Sequence, residues 1–174
     1  MKRTVIIGVM GGGIASEEDG EAAYRLGRGI AEQGWVLLNG GKDAGIMAAS
    51  ARGASEAGGL TVGILPDGDD RFASPHIQIP VITGMGSGRN CINVLSSHVV
   101  VACAGGAGTL SEIALALKFG KPVILFNFKV KELFQNLVPS GQMVDADTPE
   151  AVIDRIRSFL QKSGMQFQQS PGEQ

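Results

Sequence analysis

Four glycine clusters recur at the ends of short apolar runs: Gly11-Gly12-Gly13, Gly40-Gly41, Gly84-x-Gly86-x-Gly88 and Gly105-Gly106-x-Gly108. A strand that passes through a tight glycine turn into a helix is the repeating unit of parallel α/β folds, in which crossovers are right-handed. Apolar runs of strand length stand at Thr4–Val9, Trp35–Asn39, Leu60–Leu65, Ile77–Ile79, His98–Cys103 and Pro122–Phe126, with a short seventh near Met143-Val144. Helical spacing covers Ser16–Gln33, Ala44–Ala57, Gly88–Ser97, Thr109–Phe119, Lys131–Leu137 and Pro149–Gln161. Thr148 before Pro149 reads as an N-cap, and Gly34, Gly58 and Gly120 fall where helices should stop. The expected fold is α/β, a Rossmann-like doubly wound parallel sheet of six or seven strands flanked by helices. Residues 1–164 would form one ligand-binding domain, and the polar, aperiodic stretch 165–174 a disordered tail.

In such a sheet the carboxyl ends of the strands share one edge, and ligands bind there where the strand order reverses. The glycine clusters can therefore converge on one ligand, with Gly11, Gly12 and Gly41 opposite Gly105, Gly106 and Gly108. The run Val99–Glu112 is the most specific part, because an apolar strand opens through three glycines directly onto a helix start, where unpaired N–H groups favour phosphate. The same residues also fit a plain strand-to-helix turn, and Thr109-x-x-Glu112 matches a capping box that would make Glu112 structural. Arg89, after a flexible glycine stretch, offers a planar fork for two phosphate oxygens or a surface charge. Lys42 can neutralise an anion or stand solvated in its loop. Glu112, if it faces the ligand, can orient water or stabilise a cationic sugar carbon, as in glycosyl hydrolysis.

Composition removes several classes. Fifteen basic residues against seventeen acidic ones, with one Trp and one Tyr, provide no nucleic-acid face. No apolar stretch reaches the ~20 residues of a membrane span, and Met1-Lys2-Arg3 leads into a strand and not a signal-peptide core, so a cytoplasmic location is expected. Cys91, Cys103, His76 and His98 lack metal-ligand spacing, so no protein-held metal is expected and both cysteines are read as reduced and structural. The G-x-G-x-x-G spacing and the acidic residue of a nicotinamide site are missing, as is a Walker A motif, so no NAD and no P-loop chemistry are expected.

These residues carry a family resemblance. Ala104-Gly105-Gly106-Ala107-Gly108-Thr109-Leu110-Ser111-Glu112 resembles the P-G-G-x-G-T-x-x-E motif of the LOG proteins, cytokinin-activating phosphoribohydrolases. Gly40-Gly41-x-x-x-Gly45-Ile46-Met47 resembles their G-G-G-x-x-G-x-M loop, and Met85-x-x-x-Arg89 their M-x-x-R-K element. Asn90, Ala104 and Lys42 depart from that pattern, which places lysine, proline and glycine there. The chain is more similar to the branch of the same superfamily that contains molybdenum cofactor carriers. It shares the run Ala57-Gly58-Gly59-Leu60-Thr61-Val62-Gly63-Ile64-Leu65-Pro66 with that branch, and also Thr83-Gly84-Met85-Gly86-Ser87-Gly88-Arg89-Asn90.

The carrier resemblance implies a protein that binds the phosphorylated pterin of molybdenum cofactor, any molybdenum arriving inside the ligand. Gly105, Gly106, Gly108 and Thr109 would hold the phosphate, with Met85 and Arg89 beside it. The LOG resemblance implies instead that Glu112 and Arg89 split a nucleoside 5′-monophosphate into base and ribose 5-phosphate; a nucleotide-sensing module without turnover is a third reading. All three take a phosphorylated small molecule as partner and no pyridoxal phosphate; the carrier resemblance also implies a homo-oligomer, dimer or tetramer, and the nearly all-round apolar helix Thr109–Phe119 fits either a subunit contact or a buried central helix.

Overall fold

The computed structural model describes residues 4–164, so the expected tail at 165–174 lies outside the described residues. Seven strands, β1 (Ile6–Met10), β2 (Val36–Asn39), β3 (Thr61–Leu65), β4 (Ile79–Ile82), β5 (Val99–Ala102), β6 (Val123–Phe126) and β7 (Met143–Ala146), form one sheet. Every pairing is parallel and the order is β4-β3-β2-β1-β5-β6-β7. The chain moves outward from β1 to β4, then returns to the other side of β1 through β5. The order therefore reverses between β1 and β5, where a doubly wound sheet opens its crevice.

Five helices cover the two faces: α1 (Glu17–Glu32), α2 (Gly45–Glu56), α3 (Arg89–Ser96), α4 (Ala107–Lys118) and α5 (Pro149–Lys162). Strand side chains alternate between them. Ile7, Val9, Leu37, Val99, Val101 and Ile124 join Leu26 and Ile30 of α1 and Ile156 of α5, whereas Met10, Leu38, Val100, Leu125 and Ile64 join Val94 of α3 and Ile113 of α4. Ser16 caps α1 by accepting from the Asp19 N–H, and Thr148 caps α5 by accepting from that of Ala151. Gly34, Gly58 and Gly120 adopt positive φ just past the ends of α1, α2 and α4, as their positions in the sequence predict.

Three expectations need correction. The fourth strand is Ile79–Ile82 and not Ile77–Ile79: Pro80 sits on the sheet edge, where the missing N–H costs no ladder bond. The helix expected over Lys131–Leu137 is a single 3₁₀ turn, Lys131–Leu133. Val130, Phe134 and Val138 reach the core from irregular chain, and so short a segment without a cap does not repay helix nucleation. The fourth helix starts at Ala107, two residues before Thr109, and no side chain caps it.

Candidate functional site

At the reversal point the β1–α1 loop and the β5–α4 loop touch. The Gly12 N–H donates to the Ala104 carbonyl at 2.9 Å, and Gly12 and Gly105 stand so close that a Cβ on Gly12 would lie 3.3 Å from the Gly105 Cα. A methyl on Gly105 would collide with the Thr109 hydroxyl. Glycine is therefore required here by approach distance, and the result is a cleft of about 250 Å³ lined by Val9, Met10, Gly11–Gly13, Gly40, Met47, Arg89, Asn90, Gly106, Gly108, Thr109 and Glu112.

Gly106 is the N-cap of α4, and with no capping side chain the first-turn N–H groups are left to a ligand or solvent. A Cβ on Gly106 or Gly108 would meet nothing within 4 Å, so the helix start is open toward the cleft. Arg89, the first residue of α3, bends over the end of β2, and a methyl on Gly40 would overlap its guanidinium. Burial pushes the Arg89 pKa down, against the opposing pull of Glu112 and Asp67. Among the described residues no carboxylate lies within salt-bridge distance of it.

Glu112 is buried at 6% exposure, and burial pushes its carboxyl above the usual carboxylate range; the Asn93 hydrogen bond and the Arg89 charge oppose this. Asn93 Nδ2 donates to Glu112 Oε1 at 2.8 Å. Glu112 does not close a capping box, because α4 starts earlier and its side chain turns to α3. One turn back, Asn90 Nδ2 donates to Ser111 Oγ at 3.0 Å, and Ser111 Oγ to the Gly108 carbonyl at 2.6 Å. Two amides of α3 therefore fasten Arg89 to the helix whose N-terminus faces the same cleft.

The sequence-predicted residues divide into two sets. Gly11, Gly12, Arg89, Gly106, Gly108, Thr109 and Glu112 meet at the cleft, with Gly105 packed behind Thr109. Gly41 is packed under the loop against Gly63 and Leu65, Lys42 pairs with Asp67 at 3.2 Å, and Met85 is 54% exposed; none of these three lines the cleft. Sequence reasoning missed Asn93, Val9, Met10 and Met47. Asn93 had a signal, a polar residue three after Asn90 on the otherwise apolar Cys91–Leu95 stretch. A wider groove of about 900 Å³ between α1 and α2 carries Glu17, Glu18, Glu21 and Asp43 against Arg52 and His76, and its acidic wall suits an anion poorly.

Elsewhere, Cys103 is buried with its thiol pushed up to about 12, and His98 Nδ1 accepts from the Ile6 N–H at 3.0 Å. Among the described residues no group of three His, Cys, Asp or Glu side chains is placed to hold a metal, and no helix is long and apolar enough to cross a membrane.

The model of the SLOG cluster4 family matches residues 4–153. The solved structure of a molybdenum cofactor binding protein from the phototrophic bacterium Rippkaea orientalis is 50% identical and has a TM-score of 0.88, covering 92% of this chain and 99% of that one. The Moco carrier protein from Chlamydomonas reinhardtii is 43% identical at a TM-score of 0.86, with the same coverage. More distantly, a cytokinin riboside 5′-monophosphate phosphoribohydrolase from Rhodococcoides fascians is 29% identical over 134 residues, 71% of this chain and 66% of that protein.

Proposed function

The chain belongs to the SLOG cluster4 family, and from that premise we propose that its cleft binds the phosphorylated pterin of molybdenum cofactor and holds it without turnover, for storage or delivery. One observation carries the reading: a half-buried guanidinium with no paired carboxylate faces an uncapped helix start across a glycine-lined cleft. Both groups favour an anion, and a dianionic phosphate satisfies them together. The fit to the cargo is in the donor set. Gly106, Gly108 and Thr109 supply backbone N–H groups and Arg89 a fork, while Met10 and Met47 supply polarisable apolar surface for a ring. The likeness to cofactor-binding proteins at 43–50% identity supports the same ligand class.

A second reading has its own observation, since Glu112 shares the cleft with Arg89 and the chain is similar to a phosphoribohydrolase. The two separate in one assay. Purified protein is incubated with a panel of nucleoside 5′-monophosphates, with free base and ribose 5-phosphate followed by mass spectrometry, and in parallel with molybdenum cofactor, with retained pterin measured by fluorescence after oxidation. Cofactor retention lost in Arg89→Ala, with no base released, is the expected result. Base release abolished by Glu112→Gln identifies a nucleotide hydrolase instead.

A further inference from the structure

Asn93 is fully buried in α3, yet only half of its amide is used. Nδ2 donates to Glu112 Oε1, while Oδ1 is buried with no hydrogen-bond partner. A buried carbonyl oxygen without a donor is unfavourable, and an apolar residue of similar volume would avoid it. Its position explains its presence. Among the described residues, the titratable side chains lining the cleft are Glu112 and Arg89; β1, its loop, the end of β2 and α2 contribute backbone, Val9, Met10 and Met47.

We propose that Asn93 is the positioning residue of this cleft: its amide donates to ionised Glu112 and, by turning over, accepts from the same oxygen when the carboxyl is protonated. Glu112 thereby keeps one geometry beside a bound anion in either charge state. The proposal deepens the phosphate-binding reading above. A phosphate at the start of α4, five residues before Glu112, lies about one and a half turns from it in the same cleft, and the like charge drives the acid to take a proton from solvent. The proton goes to Oε1, the amide rotates by half a turn, and Oδ1 replaces Nδ2 as partner. One hydrogen bond is kept in each state and no other bond changes. The raised pKa of Glu112 puts the acid within reach of this change.

The clamp is tested first without ligand, by following the Glu112 side-chain carboxyl resonance with pH in ¹³C-labelled protein. Asn93→Leu removes a charge-assisted bond from the carboxylate and a weaker neutral one from the acid, so the midpoint moves to higher pH than in wild type by the difference; an unchanged midpoint overturns the clamp. If leucine does not fold, Asn93→Ala removes the same donor without bulk. The proton step is tested by calorimetry with pyrophosphate in two buffers of different ionisation heat. Wild type takes up more protons per anion bound than Glu112→Gln does, and equal uptake overturns the step. If pyrophosphate and the nucleoside monophosphates all fail to bind, the phosphate-binding reading fails and the proton step with it, while the carboxyl titration still decides the clamp.

Discussion

Arg89 and Glu112 lie in one cleft without a salt bridge, and this separation keeps the guanidinium available to an incoming anion. Gly40 sets the position of Arg89. Its hydrogen leaves room for the guanidinium and for the Met47 sulfur, 2.7 Å from where a Cβ would stand. Gly40→Ala should push the guanidinium off the cleft and weaken the proposed phosphate binding by on the order of tenfold, the value of one charge-assisted hydrogen bond. Because the displaced group is the far end of a flexible side chain, the melting temperature should hardly change. Calorimetric titration beside a thermal melt checks both halves. Gly11, Gly12, Gly106 and Gly108 could be read from sequence because they stand in loops that follow strands, and Arg89 and Glu112 because each lies in the opening turns of the helix after such a loop. Asn93 showed in the sequence only as a polar residue in an apolar stretch, since its partner depends on which α4 residue packs opposite, and a capping box offered Glu112 a local partner that the true helix start removes.

At the scale of elements, α1 and α2 pack through glycines turned toward backbone. A methyl on Gly27 would collide with the Ser50 carbonyl, and one on Gly53 with that of Tyr24. This close crossing fixes the start of α2, whose Ile46 N–H donates to the Gly12 carbonyl at 3.0 Å and so holds the first glycine loop. Gly53→Ala gains about 1 kcal/mol of helix propensity but meets an overpacking cost of about 1–3 kcal/mol. Because the Cβ would stand 1.9 Å from a backbone carbonyl oxygen, the cost falls at the upper end, and a net loss of about 2 kcal/mol is expected, a fall of several degrees in melting temperature at this size. Urea unfolding measures it, and an unchanged midpoint would mean that the helices move apart freely. Helices with a cap at one end and glycine at the other were legible, because both signals are local. The Lys131–Leu137 segment was not, because its apolar spacing of four is met by loop residues that pack singly.

For the whole molecule, the informative surface is the β4 edge. All four residues of β4 are exposed, and Ile79 and Val81 pair in register with Val62 and Ile64, which puts them on the α3–α4 face beyond the helices. Ile113, Ala116 and Leu117 of α4 are spent within the chain, whereas Ile79, Val81 and Ile82 of β4 and Leu95 of α3 are among the exposed large apolar side chains. Neither β3, β4 nor α3 after Arg89 carries a charged residue, so two copies can meet here about a two-fold axis without setting like charges together. In a dimer built on this face, Val81→Glu would shift the protein to monomer in light scattering after size exclusion with its melting profile kept; a mass that is the same for wild type and variant overturns pairing through β4. The doubly wound parallel sheet was legible from the alternation of strands and helices, but its bare edge was not, because the sequence pattern puts the fourth strand at Ile77–Ile79, ending short of Pro80. The Thr83 N–H donates inward to the Leu65 carbonyl, so by alternation Pro80 faces outward, and the rim of the sheet lacks a donor at its middle. A strand added along that rim would find no donor at its middle, so β4 is a poor template for edge-to-edge growth of the sheet even though it is bare.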